Sequence, residues 1–246
     1  MAFEQRIEQI VADRQHGSSW LAAEICAAFL SLKGTGDYRQ RVHWALSRLR
    51  NVDTSMAVVH HLIGSLNPIV DGDFFAGLDR YQQRWANVHL PITHVLLQSW
   101  NFSSAPILLH SHSGLVQQVI GELLRLLENL NVVQTRSMPG AEGEIQARQL
   151  REGGVPVQLI DDDQVAAFAA NCQAAILGVD QFTADRFVNK VGSGLITDTL
   201  SSLGKPVFVV GDSRKRVSTL HFSSSLFEAV AFGACARLVT EQGIQR

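Results

Sequence analysis

PILLHSHSGLVQQVIGELLRLLENLNVVQT, residues 106 to 135, passes from a short apolar run through a Ser-His turn into an amphipathic segment and then a second apolar run. The outer pieces, PILLH (106 to 110) and NVVQT (131 to 135), have the length of buried strands. The segment near 114 to 129 carries its apolar residues at helical spacing. Strand, helix and strand in that order predict a right-handed crossover between parallel neighbours.

The same grammar continues downstream. VPVQLI (155 to 160), AAILGV (174 to 179) and KPVFVVG (205 to 211) read as further strands, separated by helices near 142 to 152, 163 to 170 and 194 to 203. The fold class expected is α/β, with a doubly wound, mainly parallel sheet covered on both faces. Ligands of such sheets bind beyond the carboxyl ends of the strands, and HSHSG is one such end. Upstream, SSWLAAEICAAFLSL (18 to 32), YRQRVHWALSRLR (38 to 50), TSMAVVHHLIGSL (54 to 66) and a segment after NPIVDGD (67 to 73) all predict helices. Two domains are therefore expected: a helical one over 1 to 104 and the sheet domain over 105 to 246.

Composition narrows the partners. A formal charge of -2 and no basic block longer than RKR (214 to 216) give no general attraction to nucleic acid or to an anionic membrane. Charged or polar residues interrupt every apolar stretch before the roughly 20 residues a membrane span needs. The opening MAFEQRIEQIVADR lacks a signal-peptide core, so a cytoplasmic protein is expected. Cys26, Cys172 and Cys235 lie far apart in apolar surroundings, as buried reduced thiols do.

Three chemistries compete for HSHSG. His110 and His112 share one face of a strand, but a zinc site needs a third ligand such as His221 or Asp180, and no HExxH or paired-cysteine spacing supplies one. A serine hydrolase elbow needs GxSxG, and the first glycine is absent. The third is an anion-binding turn, with Ser111, His112, Ser113 and Gly114 at the positive end of the helix starting near 114. No metal or cofactor is expected.

GVDQFTADRFVNKVGSG (178 to 194) forms a second constellation. Asp180 follows directly on a strand, at the same sheet edge as HSHSG. Asn189, Lys190, Gly192 and Gly194 precede another helix, bringing a cation and a glycine-rich turn to a helix N-terminus. The plainer alternatives are a capping role for Asp180 and a solvated charge for Lys190.

The succession ILLHSHSG, EGEIQARQLREGGVPVQLIDD (142 to 162), GVDQFTADRFVNKVGS (178 to 193), GKPVFVVGDSRKR (204 to 216) and LVTEQGI (238 to 244) resembles a known family. It is shared by the alpha, beta and delta subunits of initiation factor 2B, methylthioribose-1-phosphate isomerase and ribose-1,5-bisphosphate isomerase. The likeness extends more loosely to ADRQHGSSWLAAEICAAFL (12 to 30) and SMAVVHHLIGSLN (55 to 67). It implies a helical domain followed by a Rossmann-like domain, a homodimer or larger assembly, and a phosphorylated small-molecule ligand.

By this resemblance the isomerases' catalytic cysteine falls on Ser111 and their aspartate on Asp180. Their phosphate-binding Asn-Lys pair falls on Asn189 and Lys190, and the arginine of their ETRP-like segment on Arg136 in QTRS (134 to 137); Ser113 is chemically suited as a further donor. The chain departs from the isomerase pattern by two extra residues before Glu142 and by a loop one residue shorter between Asp180 and Asn189. Aldose-ketose interconversion needs groups that exchange protons near neutral pH. A thiol, with pKa about 8.5, does so; an alkyl hydroxyl needs a base beside it, for which His112 is the candidate. Arg39, Arg41, Arg48 and Arg50 read as a solvated helix face. The function expected is an initiation factor 2B-like protein that binds a sugar phosphate without the cysteine-dependent mechanism. The alternatives are an active aldose-ketose isomerase and an assembly subunit with a vestigial pocket.

Overall fold

A computed structural model describes residues 2–13, 16–222 and 224–245. Arg14 and Gln15, within the stretch 12 to 30 that carries part of the family likeness, lie outside them. The chain forms two compact units, Met1–Asn87 and Val88–Arg246.

The first unit is helical: α1 (Phe3–Ala12), α2 (Ser18–Leu30), α3 (Tyr38–Leu49), α4 (Ala57–Leu66) and α5 (Phe74–Ala86). Apolar residues three and four apart put Ile7, Leu21, Ile25, Phe29, Leu46 and Leu62 into one core. Arg39, Arg48 and Arg50 are exposed, as a solvated face requires, and Arg41 and Arg48 also donate to Glu4 (2.9 Å) and Glu8 (2.7 Å) of α1. Exposed pairs of this kind contribute little to stability.

The second unit starts earlier than residue 105. Helix α6 (His89–Ser99) buries Ile92 and Leu96 in the same core as Ile107, Leu109 and Val119, so the units divide at Asn87 rather than at 104. There follow β1 (Ile107–His110), α7 (Gly114–Leu126), β2 (Val132–Thr135), α8 (Glu142–Glu152), β3 (Val157–Ile160), α9 (Val165–Ala169) and β4 (Ala174–Gly178). After them come β5 (Gln181–Phe182), β6 (Arg186–Lys190), α10 (Ser193–Ser202), β7 (Val207–Val210), β8 (Phe227–Ala231), β9 (Ala236–Thr240) and β10 (Gly243–Gln245).

Seven strands form one sheet in the order β10-β9-β7-β4-β1-β2-β3, parallel except for β10 on β9. Strand alternation splits the core into two layers. Ile107, Leu109, Ile176 and Phe208 face one side with Val119, Ile120 and Leu123 of α7. Leu108, Leu177 and Val209 face the other with Ile196 and Leu200 of α10. This is the expected doubly wound arrangement.

The order of strands locates the functional edge. The chain runs from β1 outward to β2 and β3, then returns to place β4 on the opposite flank of β1. The winding reverses between β1 and β4, and the carboxyl ends of these two strands frame the crevice where sheets of this type hold ligands. A second sheet, β5-β6-β8, is antiparallel and was not foreseen as strand from sequence. Cys26 and Cys172 are buried as expected, whereas Cys235 is only half-buried. Burial pushes the Cys172 thiol up to about 11.

Candidate functional site at the switch point

Register fixes the two principal residues. His110 pairs with Leu177, so Ser111 stands one residue beyond the pairing on β1 and Asp180 three residues beyond it on β4. Both lie at the carboxyl edge, on either side of the switch point.

Ser111 is 9 % exposed and adopts φ 65°, a left-handed conformation uncommon for a residue with a side chain. Its backbone is pinned on both sides. The amide donates to Ser137 Oγ (2.7 Å), and the carbonyl accepts from Gln134 Nε2 (3.2 Å). Ser137, itself at φ 65° and fully buried, continues the chain of bonds through Thr135 Oγ1 (2.9 Å) to His110 Nδ1 (2.7 Å from Thr135 Oγ1). His110 Nε2 donates to the Val191 carbonyl at 2.9 Å, which assigns the proton to Nε2 and leaves Nδ1 as acceptor. Burial pushes this imidazole below its ordinary value, against the pull of the Val191 carbonyl, and so favours the neutral form. Both ring nitrogens are engaged, and His110 serves to position Ser111.

His112 turns outward. It is exposed and bonded to Gln149 of α8 (2.9 Å), so it is not the base beside Ser111. The nearest carboxylate is that of Glu142: Ser111 Oγ lies 3.5 Å from Glu142 Oε1, at the limit of a hydrogen bond. Ser113 caps α7 by accepting from the Val116 amide (3.3 Å). Gly114 is the first residue of that helix, whose leading amides face the same edge.

Asn189 and Lys190 lie on strand β6 and not in a turn. Asn189 donates to Ser193 Oγ (2.9 Å) and is buried. Lys190 is 2 % exposed; its ammonium donates to the Pro139 carbonyl (2.5 Å) and pairs with Glu142 Oε1 (2.7 Å). Nor does Lys190 stand at an open helix N-terminus. The amides of Gly192 and Gly194, before and within the first turn of α10, both donate to Glu228 Oε1 (2.9 and 2.8 Å). Arg136 is likewise engaged, with Asp161 (2.6 Å) and Glu144. Every cation read from sequence as a phosphate ligand therefore already faces a protein carboxylate.

Asp180 differs from these. Among the described residues no hydrogen-bond donor reaches its carboxylate, while its amide donates to the Val188 carbonyl (2.9 Å). Desolvation raises its pKa, and the positive charge of Lys215, which donates to the Val179 carbonyl (2.6 Å), only partly opposes this. A folded-state value above the ordinary 3.8 means that folding favours the protonated carboxyl, so the stability it contributes is present at low pH and is lost as pH rises above 3.8. Asp180→Asn is expected to stabilise the protein at pH 7 by about 1 kcal/mol, as relief of functional strain does. The gain should shrink toward pH 4 in urea denaturation; a destabilised variant would show that the carboxylate has a partner. At the neighbouring end of β7, Asp212 is held low by the Arg214 guanidinium (2.8 Å) although burial opposes it.

Several groups that shape the site were not singled out from sequence. Thr135, Ser137 and Asp162 looked like ordinary strand and turn residues. Asp162 accepts from the amides of Ser137 (2.9 Å) and Met138 (2.6 Å), pinning the loop between β2 and α8. Glu142 had the appearance of a common first-turn acid, and Glu228 sits in a segment that carried no strand expectation.

Comparison with known proteins agrees with this architecture. The family model described as "Initiation factor 2 subunit family" matches residues 94–233. A translation initiation factor eIF-2B subunit 2-like protein of Pyrococcus furiosus is 26% identical over 215 residues, covering 85% of this chain and 77% of that one. A ribose 1,5-bisphosphate isomerase of Archaeoglobus fulgidus is 28% identical over 110 residues, 44% of this chain and 35% of its own length. The crystal structure of a Pyrococcus horikoshii OT3 translation initiation factor eIF-2B superposes with a TM-score of 0.81 at 22% identity, over 99% of this chain and 96% of that chain.

Proposed function

The chain belongs to the initiation factor 2 subunit family, and we propose that it binds a sugar phosphate or related phosphorylated metabolite at the β1/β4 switch point without cysteine-dependent isomerisation. The observation that carries this is the backbone of Ser111. A buried residue is held at φ 65° by Ser137 and Gln134, at the same sheet edge as an aspartate whose carboxylate meets no donor among the described residues, at the crevice the winding of the sheet creates. Strain of this kind is maintained where a side chain has a task.

In a bound complex Ser111, Ser113, the amide of Gly114 and Asn189 supply neutral donors, and Lys190 supplies the charge. Asp180 accepts from sugar hydroxyls. His112 and Arg136 stand at the rim, with partners they would have to exchange. The likeness to a ribose 1,5-bisphosphate isomerase favours a pentose phosphate as the ligand class. Ser111 in place of a thiol removes the group that exchanges protons near pH 7. Family resemblance also supports a homodimer in the cytoplasm. Among the described residues no helix is long and apolar enough to cross a membrane.

One finding favours a second reading, an assembly subunit whose pocket is vestigial: Lys190, Arg136 and the α10 amides each carry a protein carboxylate. A thermal-shift titration of the purified protein against pentose phosphates, methylthioribose 1-phosphate and nucleoside monophosphates separates the two. Binding should raise Tm in a concentration-dependent way, by mass action on the folded state. A flat response to the whole panel would move the assignment to assembly.

A further inference from the structure

We infer that Glu142 sets the anion selectivity of this site by acting as an internal competitor for Lys190; this rests on the phosphate-binding reading above. Lys190 is almost completely buried and has two partners, the Pro139 carbonyl and Glu142 Oε1, 2.5 and 2.7 Å from its ammonium. The carbonyl is part of the backbone and neutral. Glu142 supplies the negative charge, and its side chain is 25% exposed while that of Lys190 is 2% exposed. Glu142 is therefore the more accessible member of the pair.

The pair lies in close surroundings. Gly140 lies against the pair at φ +108°, where an added Cβ would stand 2.7 Å from Glu142 Oε2 and 3.4 Å from Lys190 Nζ. Ser111 Oγ approaches the same Oε1 atom that contacts Lys190. One carboxylate oxygen thus sits between the hydroxyl and the ammonium expected to receive a phosphate. An incoming dianion meets either repulsion from Glu142 or the requirement to move it aside; a neutral sugar meets neither. Glu142 acts on specificity through Lys190, and its removal should favour phosphate over the unphosphorylated sugar.

Isothermal titration with inorganic phosphate, ribose 5-phosphate and ribose tests this on the full chain. Glu142→Gln keeps the shape and an oxygen for Lys190 while removing the charge, and Glu152→Gln removes the same charge at the far end of α8. Glu142→Gln should bind both phosphates about tenfold more tightly, the scale of one charge-assisted hydrogen bond. It should leave ribose unchanged, and Glu152→Gln should match the wild type. Equal phosphate affinity in wild type and Glu142→Gln would overturn the inference and leave the binding reading intact. Binding by Glu142→Gln alone would support internal competition while removing phosphate as the natural ligand. No binding by either protein would overturn both, and a circular dichroism spectrum matching wild type keeps a folding failure of the variant from passing for that result.

Discussion

Gly143→Ala is expected to lower the unfolding free energy by about 3 kcal/mol, as overpacking against immovable neighbours does. An added Cβ would stand 1.9 Å from the Thr135 carbonyl oxygen and 2.9 Å from the Arg136 carbonyl oxygen. These are backbone atoms at the end of β2, so no rotamer change makes room. The Gly143 amide donates to that same Arg136 carbonyl (3.1 Å), which fastens the start of α8 to the strand. Relief requires α8 to lift from β2, taking Glu142 away from Lys190 and Ser111. Urea denaturation at pH 7 reads the stability, and a variant as stable as wild type would mean that α8 is not seated so closely.

Lys190→Ala should have the second largest effect. Breaking a buried ion pair costs about 3–5 kcal/mol when the remaining charge stays desolvated. Glu142 is one-quarter exposed and regains water, so about 2 kcal/mol is expected here. The same substitution should abolish any Tm shift produced by phosphorylated sugars. Adding Glu142→Gln to Lys190→Ala should recover part of the lost stability, because the stranded charge is then gone; strictly additive losses would show that the two side chains are not coupled.

Five of the seven strands of the sheet were legible in sequence, because buried parallel strands are short continuous apolar runs between amphipathic helices; the terminal β9 and β10 carried no such reading. PILLH, NVVQT, VPVQLI, AAILGV and KPVFVVG each contain a strand of the sheet. The residues that lie at the carboxyl edge, Ser111 and Asp180, follow from that alone, since each comes just after such a run. What escaped is what depends on pairing across distance. RFVNK carried no strand reading because Arg, Asn and Lys seldom fill a buried strand; β5 and β8 on its flanks bury it. Lys190 then points away from the helix turn it precedes in sequence and finds Pro139 and Glu142, about 50 residues upstream. Glu228 was similarly out of view: nothing local shows that its carboxylate will take the α10 amides that a phosphate was expected to occupy. The base beside Ser111 was sought in the adjacent His112, yet the left-handed turn at Ser111 sends the neighbouring side chain toward Gln149 and leaves Glu142 nearest.

Phosphorus NMR of ribose 5-phosphate titrated with the purified protein is the most direct test of phosphate binding without turnover. Saturable broadening or shift of the phosphate resonance, lost with Lys190→Ala, is expected, with no new resonance after prolonged incubation. An unperturbed phosphate signal at millimolar ligand would contradict binding at this site, and appearance of a ketose phosphate would contradict the absence of isomerisation.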